Sequence, residues 1–83
     1  MSFMDNKEFN FVLGKQIKKV REDKNMTQSE LASVMNVNAQ NISSYERGER
    51  CPSMFWINRL CTALEIPPTQ FNEELYKNID TEK

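Results

Sequence analysis

The sequence predicts an all-α domain of five helices, and three observations carry this prediction. Only 2 glycines and 3 prolines occur among the 83 residues, too few for the many turns of a β-protein. Apolar residues recur at the three- and four-residue spacing of helices. The composition, 39% hydrophobic and 28% charged, is typical of a soluble folded chain, and its length suits one small domain.

The first helix is predicted over residues 8–24. Its apolar side chains follow helical spacing: Phe9, Leu13, Ile17 and Val20. Gly14 lies inside this helix, where it costs about 1 kcal/mol relative to alanine unless close packing requires it. Residues 1–7 are then expected to form a flexible leader, and Asn25 is a suitable residue to end the helix.

The second helix is predicted to begin at a capping box. Thr27 can accept a hydrogen bond from an orphan backbone amide, and Glu30 can reach back to the Thr27 amide. Asn36 can adopt the left-handed conformation that ends a helix sharply. Asn38 is then a good N-cap for a third helix over residues 39–47, which stops at a glycine.

The third helix has an unusual outer face. Only Ile42 and Tyr45 are expected to point inward. The remaining positions are small or carry amides and hydroxyls: Ala39, Gln40, Asn41, Ser43 and Ser44. On an ordinary helix such groups would only solubilise the surface, but they also suit base edges. Two short helices joined by a tight turn, over about residues 27–47, are typical of a helix-turn-helix that enters the major groove.

The last two helices complete the domain. Ser53 is the expected cap of the fourth helix, whose inward face is Ile57, Leu60, Cys61 and Leu64. Two consecutive prolines after Ile66 end it. The fifth helix is predicted over 69–77, with Ile79 just beyond, so the folded domain covers 8–79. Residues 80–83 are expected to be a disordered tail.

Charge and composition exclude several classes of function. The net charge is −1, yet residues 15–50 carry a net +2, so a locally basic face is compatible with an acidic whole. Histidine is absent, and the two cysteines, Cys51 and Cys61, are expected to be reduced thiols. No metal-ligand cluster or phosphate-binding glycine loop occurs, which predicts a protein that is not an enzyme, with no cofactor and no small-molecule ligand. No membrane span or signal peptide is visible, so a cytoplasmic location is expected.

An ordered series of segments resembles the Cro and phage-repressor type of helix-turn-helix, also called XRE-like, over roughly residues 13–75. The segments are IKKVR at 17–21, MTQSELA at 26–32, Val37, Ile42-Ser43, ERG at 46–48 and Pro52-Ser53. The resemblance implies a lambda-repressor-like domain that binds double-stranded DNA as a homodimer on a palindromic operator and regulates transcription. Restriction–modification controllers, prophage regulators and toxin–antitoxin regulators all fit, and the sequence does not choose among them.

The resemblance also implies roles for individual residues. Gln28 matches a glutamine that touches phosphate and braces the recognition helix, whereas Arg21 and Glu46 match an internal salt bridge. Asn36 departs from the usual glycine, and Ala39 replaces a long polar side chain but could pack against a thymine methyl. Base contact is expected for Ala39, Gln40 and Ser44, edge or backbone contact for Asn41 and Ser43, and phosphate contact for Arg47 and Arg50. The complete predicted DNA-binding set is Gln28, Asn38, Ala39, Gln40, Asn41, Ser43, Ser44, Arg47 and Arg50.

Aromatic residues near the C-terminus suggest a dimer interface, with residues 69–79 as a dimerisation helix. Phe55 and Trp56 cannot both face the core if Ile57 and Leu60 do. The predicted interface is Phe55, Trp56, Phe71, Leu75, Tyr76 and Ile79. The alternative function is a protein-interaction module, such as an antitoxin or anti-repressor that retains the fold. Steep salt dependence of DNA binding would separate the two.

Overall fold

The structure, a computed structural model, describes residues 4–82, with side chains described through residue 79. Five helices and no strands occur in this range, which confirms the predicted fold class. The helices are α1 (Asn6–Asp23), α2 (Gln28–Met35), α3 (Ala39–Glu46), α4 (Met54–Leu64) and α5 (Pro68–Glu82). α1 packs against α3 and α5, α2 packs against α3 and α4, and α4 packs against α5.

One hydrophobic core joins all five helices. Each helix contributes at least one large, fully buried apolar side chain: Ile17, Leu31, Ile42, Leu60 and Phe71. Burying a side chain of this kind contributes about 1.5–3 kcal/mol relative to leaving it exposed. The short helices of the motif are therefore held mainly by contacts with α1 and α4, since isolated helices of their length are marginal in water.

The predicted helix ends around the central turn are confirmed. Thr27 Oγ1 accepts from the Glu30 amide at 3.0 Å, and the Thr27 amide donates to Glu30 Oε1 at 2.8 Å, completing the capping box. Asn25 and Asn36 both adopt positive φ, 58° and 56°. Asn38 Oδ1 accepts from the Gln40 amide at 2.7 Å and caps α3. Local side-chain chemistry thus sets the turn between α2 and α3.

The start of α1 corrects the predicted flexible leader. Asp5 Oδ1 accepts from the Glu8 amide at 2.8 Å, so the helix begins at Asn6. Met4 is half-buried and packs against the core. A leader over residues 1–7 was therefore too long, because the cap and this contact order its second half. The first three residues lie outside the described part of the chain.

The end of α5 also corrects the sequence prediction. Ile79 packs partly against the core, and Asn78 Nδ2 donates to Gln16 Oε1 of α1 at 3.2 Å. These contacts extend the helix past residue 77, and its backbone is helical through Glu82. At residues 80–82 the backbone continues the helix where the sequence predicted a disordered tail, whereas Lys83 lies outside the described residues.

Gly14 is required by close packing between α1 and α3. A Cβ added there would lie 2.5 Å from the carbonyl oxygen of Tyr45 and 2.6 Å from that of Glu46. Both neighbours are backbone atoms near the end of α3, and they cannot turn away as a flexible side chain could. The absence of a side chain at Gly14 therefore sets how closely the two helices approach.

A buried ion pair joins the same two helices. Arg21 Nε donates to Glu46 Oε2 at 2.7 Å, and Arg21 Nη2 donates to Glu46 Oε1 at 2.9 Å. Arg21 Nη1 donates to the Met26 carbonyl oxygen at 2.7 Å. The hydrogen bond that Arg21 donates to Glu46 raises the pKa of Arg21 above its ordinary value, although burial acts in the opposite direction. The internal salt bridge implied by the resemblance is present.

Replacing Gly14 with alanine is expected to destabilise the domain by about 1–3 kcal/mol, because the methyl group overpacks the contact with α3. The expected loss occurs even though alanine is the better helix former by about 1 kcal/mol. Urea unfolding measures it, with Lys18→Ala on the exposed face of α1 as control. A stability equal to or above that of the wild type would contradict this account of the packing.

Replacing Glu46 with alanine is expected to cost about 3–5 kcal/mol, because Arg21 is left buried without its counter-charge. The double variant Arg21→Met/Glu46→Leu removes both charges and is expected to recover most of the loss. Thermal unfolding of both variants and the wild type tests this. Equal destabilisation of the single and double variants would show that the loss does not come from an uncompensated charge.

Candidate nucleic-acid interface

α3 is attached to the body by one side and presents polar groups on the other. Ile42, Tyr45 and Glu46 are buried, whereas Gln40 is exposed and Ser44 is half-buried one turn later. The exposed amide can both donate and accept hydrogen bonds, and the hydroxyl can do the same. The outer face therefore carries the chemistry needed to read base edges.

The first residues of α3 are partly occupied by the fold itself. Asn38 is exposed, but its side-chain oxygen caps the helix, so its remaining polar group is the NH₂. Ala39 is half-buried and packs against the core. Only part of the Ala39 methyl can reach a ligand, whereas the neighbouring Gln40 side chain points into solvent.

Gln28 connects the first helix of the motif to the second. Its Nε2 donates to Glu46 Oε1 at 2.9 Å, so one carboxylate receives hydrogen bonds from both Arg21 and Gln28. Gln28 is half-buried at the first position of α2. This contact provides the brace to the recognition helix that the resemblance implied.

Arg50 lies against the exposed edge of α3, a set of contacts that the sequence analysis missed. Its Nη1 donates to Asn41 Oδ1 at 3.0 Å, and its Nη2 donates to the Tyr45 hydroxyl at 3.4 Å. The guanidinium carbon lies 5.1 Å from the centre of the Tyr45 ring. These partners are neutral, so Arg50 keeps a net positive charge beside the outer face.

Arg47, the C-cap of α3, is paired with an acid instead. Its Nε donates to Glu49 Oε2 at 2.8 Å, its Nη2 donates to Glu49 Oε1 at 3.0 Å, and its Nη1 donates to Ser43 Oγ. The hydrogen bond between the two side chains raises the pKa of Arg47 and lowers that of Glu49. This pair was not predicted from the sequence.

Three of the predicted dimer contacts lie in the core of the chain itself. Trp56, Phe71 and Leu75 are only 8%, 1% and 6% exposed, and Trp56 packs edge-on against Tyr45 with ring centroids 4.7 Å apart. Their prediction as interface residues was wrong, because these aromatic and aliphatic side chains cover their own core. Of the other members, Phe55 and Tyr76 are exposed and Ile79 is half-buried.

The described residues carry little that points to other chemistry. Within 4–82, no helix is both long and apolar enough to cross a bilayer. The same range contains no group of three His, Cys, Asp or Glu side chains placed to hold a metal ion. Cys51 is exposed and Cys61 is buried, and both are free thiols. The polar face of α3 with its flanking arginines is therefore the feature with the clearest functional chemistry.

Comparison with known proteins identifies this arrangement. A family model described as helix-turn-helix matches residues 17–71. The restriction–modification controller protein C.Esp1396I is 31% identical, with 98% of this chain and 99% of that chain covered and a TM-score of 0.81. Its tetramer, solved with its natural 35 base-pair operator, is 32% identical over 95% of this chain and 97% of that chain, with a TM-score of 0.79.

Solved structures of two other regulators are also similar to this chain. The controller C.AhdI from Aeromonas hydrophila is 29% identical, covering 75% of this chain and 94% of that chain with a TM-score of 0.70. The clp gene regulator ClgR from C. glutamicum is 28% identical, covering 83% and 90%, with a TM-score of 0.77. No curated protein sequence matches the chain significantly. The chain belongs to the helix-turn-helix family of the Cro and phage-repressor (XRE-like) type and is a helix-turn-helix transcriptional regulator.

Proposed function

We propose that the protein binds duplex DNA in a sequence-specific manner by placing α3 in the major groove. The observation that carries this proposal is the division of α3 into a buried side, held by Ile42, Tyr45 and Glu46, and an outer side led by the exposed Gln40. A major groove admits a helix of this kind. The similarity to C.Esp1396I, whose structure with an operator is known, supports the same placement.

Base reading is assigned to the first two turns of α3. Gln40 can pair with an adenine through both atoms of its amide, and Ser44 can reach a neighbouring base. Ala39 offers the accessible part of its methyl to a thymine. These contacts favour an A·T pair in the recognised sequence.

Backbone contacts are assigned to the residues around these bases. Gln28 and Asn38 lie at the amino ends of α2 and α3, where helix dipoles favour phosphate. Asn41 and Ser43 use their oxygens for Arg50 and Arg47, so each meets DNA through its remaining donor group. Arg47 and Arg50 make the other contacts with the DNA backbone.

The regulator acts as a homodimer on a two-fold symmetric operator. Phe55 and Tyr76 are 73% and 63% exposed, which supports their assignment to the contact between protomers, with Ile79 at its edge. Each protomer would place one α3 in the major groove, with half-sites about one helical turn apart. A dimer doubles the number of base and phosphate contacts made by one small domain.

In the cell, the protein would control transcription as a cytoplasmic, non-enzymatic regulator of the restriction–modification controller kind. The support for this choice among regulators is the match with C.Esp1396I, which extends over 98% of this chain and 99% of that one. Occupancy of the operator would then follow protein concentration and dimerisation.

Selection of binding sites from a random duplex library tests the proposal. The enriched sequences are expected to contain inverted repeats with centres about one helical turn apart. The logarithm of the association constant should fall linearly with the logarithm of salt concentration, with a slope of about −0.9 per neutralised phosphate. Failure to enrich any duplex at low ionic strength would reject DNA binding and favour a protein-interaction role.

Replacing Gln40 with alanine is expected to weaken binding to the selected duplex by about 1–3 kcal/mol, because one bidentate base contact is lost. The preference at one A·T pair should relax, while folding stability stays unchanged because the side chain is exposed. Fluorescence anisotropy with substituted duplexes measures both effects. Gln70→Ala, an exposed glutamine on α5, is the matched control; equal behaviour of the two variants would refute the assignment.

A further inference from the structure

The two arginines assigned to phosphate differ in how the fold treats their charge. The guanidinium of Arg50 is held by the neutral groups of Asn41 and Tyr45. That of Arg47 is held by the carboxylate of Glu49, with both oxygens engaged. One arginine therefore carries a net positive charge beside α3, and the other is neutralised within the chain.

Glu49 occupies the side of the guanidinium that a phosphate would use. A guanidinium binds carboxylates and phosphates through the same fork of parallel N–H donors. In Arg47 this fork, formed by Nε and Nη2, is filled by Glu49, while Nη1 is used by Ser43. A phosphate can therefore use the side fork of Nε and Nη2 only after Glu49 leaves it, and the end fork of Nη1 and Nη2 is already partly used by Ser43 and Glu49.

The backbone holds Glu49 in this position. Gly48 adopts a φ of 76°, a left-handed conformation that turns the chain back at the end of α3. The Glu49 amide then donates to the Ser44 carbonyl oxygen at 3.0 Å. Arg47 lowers the pKa of the Glu49 carboxyl, which is ionised at neutral pH even at its ordinary value, so both members of the pair are charged there.

We propose that Glu49 is an affinity-determining residue of the DNA interface, which competes with DNA phosphate for the guanidinium of Arg47. This inference rests on the proposed function, and it adds that Glu49 controls how strongly Arg47 binds DNA phosphate. To bind phosphate through Nε and Nη2 of Arg47, each protomer exchanges an internal ion pair for a phosphate contact. Glu49 thus lowers the sequence-independent part of the affinity, while the base contacts of Gln40 are unaffected.

The test is a double-substitution cycle of Glu49→Gln and Arg47→Ala, measured by anisotropy on the selected duplex and on a scrambled duplex. Glu49→Gln is expected to raise affinity about 1.5- to 5-fold per half-site, the range for releasing an exposed ion pair. The salt slope should become steeper by about one unit per protomer. Since phosphates carry no sequence information, the gain should be equal on both duplexes.

The gain should nearly vanish when Arg47 is already alanine. A gain of equal size in both backgrounds would overturn the proposal, because it would reflect general repulsion between Glu49 and DNA. Weaker binding by Glu49→Gln would also overturn it, because Glu49 would then orient Arg47 for DNA. Glu73→Gln on the exposed face of α5 is the control for the change in net charge.

A second readout does not depend on DNA binding. Tripolyphosphate is titrated into the wild type and into Glu49→Gln, and the side-chain Nε–Hε signal of Arg47 is followed by NMR. Saturation at a lower tripolyphosphate concentration in the variant is the expected result, and identical titrations would overturn the proposal. If tripolyphosphate behaves as expected but neither protein binds any duplex, the proposed function fails while the competition at Arg47 stands.

Discussion

The buried ion pair between Arg21 and Glu46 is the contact on which the placement of the recognition helix depends. Arg21 belongs to α1 and Glu46 to α3, and Gln28 of α2 donates to the same carboxylate, so one acid connects three helices. Removing two charges from water is costly, and only good geometry with complete hydrogen bonding offsets that cost. We infer that the network contributes more to the unique position of α3 than to net stability, because few other placements would satisfy all these donors.

This attachment uses the inner side of α3 and leaves Gln40 exposed on its outer side. An eight-residue helix is too short to be stable alone in water, so its inner side must be held by the rest of the domain. Ile42 and Tyr45 enter the core, and Gly14 allows the backbone of α1 to lie directly against the end of α3. The identity of an exposed residue such as Gln40 is therefore not constrained by packing in the core and can depend on the ligand that it contacts.

The parts of the fold governed by local chemistry were predictable from sequence, and the parts governed by distant contacts were not. Thr27 and Asn36 act on the backbone within a few residues, so the turn of the motif could be located in advance. The helical extension of α5 depends on Asn78 meeting Gln16, which is 62 residues away in sequence. Phe71 was placed in a dimer interface because helical spacing identifies an apolar face but does not say whether the same chain or a partner covers it. The polar face of α3 was predictable because its residues are adjacent in sequence, whereas the internal partners of its flanking arginines depend on the folded turn.

The central claim is that the exposed side of α3 is the surface that meets DNA. NMR of the isotope-labelled wild-type protein, titrated with its selected duplex, tests this residue by residue. If this surface meets DNA, the largest changes will occur at the Gln40 side-chain amide, along the first two turns of α3 and at Gln28 at the start of α2. Changes concentrated on α4 and α5, with the Gln40 amide unaffected at saturation, would contradict it.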